Sequence, residues 1–146
     1  MTLNPDKFVE LNRGVVFPKH CDHLGHMNVR HYASFFDDAG FHLWNRIGVP
    51  MSTMRETKIC PVVAKIEINY IHELIAGDLL VIEGVFTRIG TKSLGHHMRM
   101  LNAETGTLCA TQDTVEVFFN LETRQSAPMP NNFRETLERN VVVSPE

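Results

Sequence analysis

Residues 20–47 read His20-Cys21-Asp22-His23-Leu24-Gly25-His26-Met27-Asn28 followed by VRHYASFFDDAGFHLWNRI, and this stretch decides the fold. Apolar residues recur in its second part at spacings of three and four, which predicts a helix over residues 29–47. Asn28 can cap that helix, and Gly48 and Pro50 stop it. Phe35 and Phe41 widen the apolar surface beyond one stripe, so we expect a helix that is buried on most sides.

Beyond the helix the apolar period changes to two, which predicts strands over residues 64–70, 79–88, 94–101 and 108–119. A short apolar run at residues 14–17 predicts a first strand, and a short final helix is expected from Asn131 or Asn132 to Arg139. Strands in succession beside one long helix indicate an α+β fold. We expect a single domain over residues 1–146, with about five antiparallel strands curled around one long central helix. The uncovered sheet edges predict self-association.

Composition describes an ordinary soluble protein and excludes several classes. The 146 residues are 43% hydrophobic and 21% charged, with a net charge of -3, so no basic footprint for nucleic acid is present. Charged residues interrupt the predicted helix, which argues against a membrane span. The three cysteines form no CxxC pair and predict reduced thiols in a cytoplasmic protein.

Asp22 is the first candidate for chemistry, as a general base or a nucleophile. The alternative is a turn aspartate that only caps local amides. The turn leads into the N-terminus of the predicted helix, where the first amides lack intrahelical partners. The Val29 N–H can therefore polarise a carbonyl oxygen, and Gly25 lets backbone and ligand approach closely.

Three histidines, His20, His23 and His26, are spaced by three residues. On a helix that spacing offers nitrogens to a metal, but this segment is predicted to be a turn, and no HExxH pattern accompanies it. We therefore expect turn and surface histidines and no metal.

Four further positions carry weaker signals. Asp37, in the middle of the helix, is expected to point to an interface or a second site, while His96 is expected to be a satisfied core or interface histidine. Lys92 and Ser93 follow Gly90 in a turn that suits a phosphate, with a solvated hairpin as the alternative.

These residues resemble a known family. Residues 22–28, then Tyr32, Phe36-Asp37 and Ala39, are similar to the signature of hotdog-fold acyl-CoA thioesterases of the 4-hydroxybenzoyl-CoA thioesterase type. The likeness extends through the long helix, the turn at Lys92 and the final strand.

The resemblance implies hydrolysis of an acyl-CoA thioester, with no cofactor beyond the coenzyme A of the substrate. By position, Asp22 matches the family's nucleophile or general base and the Val29 N–H matches the amide that polarises the carbonyl. Gly25 and His26 match the turn glycine and the residue after it, which places His26 at the pocket wall. Further substrate contacts are expected from Asn28, Tyr32, Lys92 and Ser93. The family forms dimers, often paired into tetramers, with the active site across the subunit interface.

Two departures and two alternatives remain. The family turn usually has Asp where this chain has His20, so we expect an altered pH profile, and the helix usually has Arg where this chain has Gly40. A hydratase or dehydratase of the same fold, pairing His26 with Asp22, is one alternative, and a non-catalytic acyl-CoA-binding module is the other. The acyl group is not predicted, and acyl carrier protein stays open as the thiol carrier because it shares the pantetheine arm.

Overall fold

A computed structural model describes residues 7–141 of the chain. Its strands are β1 (Val9–Val15), β2 (Ile59–Tyr70), β3 (Leu79–Ile89), β4 (Ser93–Asn102), β5 (Leu108–Asn120) and β6 (Gln125–Ser126). Its α-helices are α1 (Val29–Arg46), α2 (Met51–Thr57) and α3 (Asn131–Asn140), and a short 3-10 turn spans Pro18–His20.

The strands form one antiparallel sheet in the order β1-β3-β4-β5-β2, with the short β6 paired to β5. Helix α1 packs on one face of this sheet, mainly through contacts with β1 and β3. The predicted α+β hotdog architecture, a curled antiparallel sheet with one long helix, is confirmed.

The core lies between α1 and the sheet. One stripe of the helix is buried, at Tyr32, Phe36, Ala39, Leu43 and Trp44, as the spacing predicts. It meets inward side chains of the central strands, among them Ile82, Phe86, Leu94, Met98 and Met100. Helix α3 adds Phe133 and Leu137 to the same cluster.

Helix α1 is less enclosed than its composition predicts. Phe41 is exposed, and Phe35 is only partly buried. The expectation of a helix buried on most sides is therefore wrong for a single chain, because the sheet covers one side of the helix only.

The edge strand β2 differs from its prediction in two ways. It begins at Ile59, five residues before the predicted start, and it is not half-buried: Val63, Ile66 and Tyr70 are all exposed although they share the helix side of the sheet. A bulge between Val63 and Lys65 breaks the register with β5. Strand β2 thus presents an apolar, unpartnered edge.

Other boundaries were also predicted wrongly. The first strand is Val9–Val15, not residues 14–17, because it is mostly polar and carries a bulge between Glu10 and Asn12 that hides its period. Helix α2 and strand β6 were not predicted. Helix α3 is preceded by Pro130, which offers no side-chain cap, instead of being capped by an asparagine. Among residues 7–141, none of the helices combines the length and the apolar character that crossing a membrane requires.

Candidate active site

The turn before α1 is closed by its own backbone. The Asp22 N–H donates to the His26 carbonyl (3.2 Å), and the Gly25 N–H donates to the Asp22 carbonyl (3.0 Å). Gly25 has a φ of 85°, a left-handed conformation that favours glycine. The Met27 N–H donates to the Leu74 carbonyl (2.7 Å), which ties the turn to the loop after β2. These backbone hydrogen bonds thus hold the turn in one conformation against the rest of the chain.

The Asp22 carboxylate accepts two hydrogen bonds in this turn. Its Oδ1 accepts the Leu24 N–H (2.9 Å), and its Oδ2 accepts from Asn28 Nδ2 (2.8 Å). The bond from Asn28, followed by that from Leu24, holds the pKa of Asp22 below its ordinary value of 3.8, because both donors favour the charged form. Asp22 is therefore an oriented, ionised carboxylate at neutral pH.

Asn28 also begins the helix, as predicted. Its Oδ1 accepts the Arg30 N–H at 3.2 Å, while its backbone adopts an extended conformation. The first helical amide, the Val29 N–H, donates to no acceptor among residues 7–141, as expected for the first residue of a helix. This amide is available to an oxygen of a ligand.

A cavity of about 330 Å³ opens beside the turn. Four of the candidate site residues line it on the side of the turn and helix: Asp22, His26, Val29 and Tyr32. The opposite wall, Tyr70 to Glu73, comes from the end of β2 and the loop that follows. This wall was not predicted, because contacts between residues distant in sequence bring the loop to the turn, among them the bond between Met27 and Leu74.

Tyr32 forms the buried floor of this cavity. Its ring meets that of Tyr70 edge-to-face, with centroids 5.0 Å apart. Burial raises the pKa of Tyr32 to about 12, so its hydroxyl stays protonated at neutral pH.

The three turn histidines have separate environments. Among residues 7–141, no group of three or more His, Cys, Asp or Glu side chains is placed to hold a metal ion. His26 lines the cavity, with Nε2 3.9 Å from Glu73 Oε2, and His23 is exposed.

His20 points away from the carboxylate. Its Nδ1 accepts the Phe17 N–H (2.9 Å), and its ring packs edge-on against His31 and Phe35 of α1. Desolvation, followed by the nearby His31, lowers the pKa of His20. The expectation that His20 alters the pH profile by lying near the base finds no support in this geometry.

Lys92 and Ser93 do not line the Asp22 cavity of their own chain. They lie in the β3–β4 turn, where Ser93 pairs with Val117 of β5 and Val117 pairs with Val62 of β2. The Asp22 cavity meets β2 at its other end, at Tyr70. Within one chain, Lys92 and Ser93 therefore lie outside the cavity that Asp22 lines.

Asp37 is exposed and lines a second cavity, farther along α1. His96 lies in the wall of that cavity and is only 3% exposed. The expectation of a satisfied core histidine is wrong, because neither ring nitrogen of His96 has a hydrogen-bond partner among the described residues. The alternative, an interface histidine, stays a prediction.

Comparison with known proteins identifies the class. The model of the thioesterase-like superfamily matches residues 16–137, so the chain belongs to this superfamily. A search of curated proteins finds no match.

Solved structures share the fold over nearly the whole chain. The probable thioesterase YbaW from Escherichia coli is 26% identical, with 89% of this chain and 97% of that one covered and a TM-score of 0.76. A thioesterase superfamily protein from Jannaschia sp. CCS1 is 20% identical, with coverage of 97% and 98% and a TM-score of 0.85. A hypothetical protein from Staphylococcus aureus, solved in complex with CoA, is 21% identical, with coverage of 95% and 91% and a TM-score of 0.81. The predicted class, a thioesterase with the hotdog fold, is confirmed.

Proposed function

We propose that this protein hydrolyses an acyl-CoA thioester to free CoA and a carboxylic acid at the Asp22 turn. The observation that carries the proposal is the position of Asn28. Its amide group holds the Asp22 carboxylate at 2.8 Å, and its carbonyl oxygen caps the helix whose first amide, at Val29, is free. A base and an oxyanion donor are thereby held next to one cavity.

The thioester carbonyl oxygen accepts the Val29 N–H, which stabilises the negative charge that develops there. In the general-base route, Asp22 takes a proton from water as the water oxygen bonds to the carbonyl carbon. The C–S bond then breaks, and the CoA thiolate leaves and takes up a proton. In the nucleophilic route, a carboxylate oxygen of Asp22 attacks the carbonyl, CoA leaves, and water hydrolyses the resulting anhydride. Both routes need Asp22 ionised, which its lowered pKa provides.

Two subunits complete the site in this proposal. Strand β2 is an edge strand with exposed apolar side chains on its helix side, such as Val63 and Ile66. Antiparallel pairing of β2 with a second copy covers this edge. A two-fold axis at the middle of β2 brings the Val62 end of one strand beside the Tyr70 end of the other. The Lys92 and Ser93 turn of one subunit then lies toward the Asp22 cavity of its partner.

CoA is the proposed thiol carrier. A structural relative binds CoA, and the exposed Lys92 with the Ser93 hydroxyl suits its phosphates. No cofactor is needed beyond the substrate, and acyl carrier protein is the alternative carrier.

A panel of acyl-CoA esters, read by thiol release, tests the function. We expect turnover of at least one ester without added metal. Crotonyl-CoA separates the alternative enzyme class: loss of enoyl absorbance without free thiol indicates a hydratase. Tight binding of CoA esters with no turnover across the panel indicates a binding module, and either result contradicts the proposal.

A further inference from the structure

Four polar side chains are buried within residues 7–141, and all four lie in one patch on the helix side of the sheet. They are His96 of β4 and Gln112, Thr114 and Glu116 of β5. The register explains their proximity. His96 pairs directly with Thr114, and the other two lie two residues to either side on the same face of β5.

The patch is only partly satisfied by its own hydrogen bonds. Trp44 Nε1 donates to Glu116 Oε2 (3.1 Å), and Gln112 Nε2 donates to Thr114 Oγ1 (3.0 Å). Gln112 Oε1 and both ring nitrogens of His96 have no partner among the described residues. His96 Nε2 is 3.6 Å from Glu116 Oε1, too far for a hydrogen bond.

The two side chains that carry these atoms, His96 and Gln112, belong to the wall of a cavity of about 350 Å³ beside helix α1. The helix wall runs from Ala33 to Gly40, and Val63 and Ile66 of β2 form the opposite wall. The cavity follows the Asp22 cavity along the same two elements, with Tyr32 and Tyr70 between them. At about 1.5 Å per helical residue, it begins about 6 Å beyond Val29 and ends about 17 Å beyond it.

The unpartnered atoms specify the chemistry of a ligand. Gln112 Oε1 accepts a hydrogen bond, and a neutral His96 ring offers one donor and one acceptor. A hydroxyl group both donates and accepts, so it can pair with one acceptor and one donor of the patch at the same time. An alkyl end leaves these polar atoms unpaired, and a carboxylate end cannot donate and meets the carboxylates of Glu116 and Asp37.

We propose that the acyl group carries a hydroxyl about 12 Å from the thioester carbonyl, near the middle of this cavity's span, bound by His96 and Gln112. This inference rests on the proposed function, since it places the carbonyl at the Val29 N–H. It names the class of substrate as a hydroxyacyl thioester with the hydroxyl oxygen about ten bonds along the chain from the carbonyl carbon, as in a 10-hydroxydecanoyl group.

Three CoA esters of similar length test the proposal in the unmodified protein. The first is 10-hydroxydecanoyl-CoA. The second, undecanoyl-CoA, has a methyl group in place of the hydroxyl, and the third, the mono-CoA ester of decanedioic acid, ends in a carboxylate. We expect kcat/KM for the hydroxyl ester to exceed that for each other ester at least tenfold, because unpaired buried polar atoms penalise both. Equal or faster turnover of the methyl ester overturns the inference, and then water alone occupies the patch.

Variants locate the selectivity. In Gln112→Leu and in His96→Phe, we expect the kcat/KM for the hydroxyl ester, divided by that for the methyl ester, to fall at least tenfold. His97→Phe is the matched control, because His97 is the next residue of β4, points to the opposite sheet face and pairs with Asp113. The ratio should be unchanged there. If this ratio of kcat/KM values is unchanged in both patch variants, the assignment of the hydroxyl to His96 and Gln112 is contradicted. If a variant does not fold, the comparison of esters in the unmodified protein still tests the inference.

Measurements of ester binding distinguish a failure of this inference from a failure of the proposed function. Calorimetry with Asp22→Asn measures the affinities for the hydroxyl and methyl esters without relying on hydrolysis. If no ester is hydrolysed but the hydroxyl ester still binds at least tenfold more tightly, the proposed function fails and the patch assignment stands. If thiol is released but neither kcat/KM nor affinity favours the hydroxyl ester, the patch assignment fails and the proposed function stands.

Discussion

Asn28 Nδ2 donates to Asp22 Oδ2 at 2.8 Å, while the Oδ1 atom of the same asparagine accepts the Arg30 N–H at 3.2 Å. One side chain therefore fixes the carboxylate and starts the helix. Any displacement of the helix N-terminus relative to Asp22 would strain one of these two bonds. For this reason, the position of the proposed base, Asp22, and that of the proposed oxyanion donor, the Val29 N–H, depend on each other.

Asn28→Ser separates the two roles of this side chain. Serine caps a helix about as well as asparagine, but its short hydroxyl does not reproduce the amide bond to Asp22. Loss of that donor raises the pKa of Asp22 toward its ordinary value, although the Leu24 N–H still lowers it. Because the reaction needs the carboxylate, the acidic limb of the kcat/KM profile should move to higher pH. A pH–rate profile of thiol release measures this shift.

Thermal unfolding is the control for Asn28→Ser, and the melting temperature should change little. Asn28→Ala, which also loses the cap, should be destabilised by about 1 kcal/mol. An acidic limb at the same pH in Asn28→Ser and the unmodified protein would contradict the role assigned to this bond.

Two glycines at the site should respond oppositely to alanine. Gly25 has a φ of 85°, and a Cβ there meets nothing within 4 Å, so Gly25→Ala adds backbone strain of about 1–2 kcal/mol without a clash. Gly40 lies inside α1, and a Cβ there is equally unobstructed. Gly40→Ala should therefore stabilise the protein by up to about 1 kcal/mol. Denaturant unfolding measures both changes. Unchanged or higher stability of Gly25→Ala would contradict the description of the turn, and lower stability of Gly40→Ala would contradict the open space described beside α1.

The exposed edge of β2 predicts assembly. Ile66 is 46% exposed in the single chain, and Ile66→Lys places a charge on the surface proposed to meet a second copy. The unmodified protein should be at least dimeric by light scattering at micromolar concentration, and the variant should shift toward monomer. Leu121→Lys, at an exposed apolar residue outside β2, is the matched control. A monomeric unmodified protein would contradict the two-subunit site.

The local parts of the structure were predictable. The spacing of apolar residues over 29–47 placed α1 to within one residue of its end, and the asparagine before it identified the cap. Asp22, Val29 and Tyr32 could be proposed from the sequence because they lie in that helix or just before it. The positive φ at Gly25 was not predicted.

The remainder depends on long-range pairing. The Tyr70–Glu73 wall reaches Asp22 only through the sheet, and the patch at His96 exists because β4 and β5 pair in one register. A single strand shows that His96 faces inward, but not that its ring nitrogens lack partners. Helix α2 has one fully buried residue, Met54, so no period marked it.

The replacement of Asp22 by asparagine tests the central claim most directly. Asparagine keeps the size of the side chain but neither accepts a proton from water nor attacks a carbonyl. With the best ester of the panel, thiol release by Asp22→Asn should show kcat reduced at least a hundredfold, about 3 kcal/mol, with the melting temperature little changed. A variant that folds and turns over every active ester at near the unmodified rate would remove Asp22 from the mechanism and contradict the account.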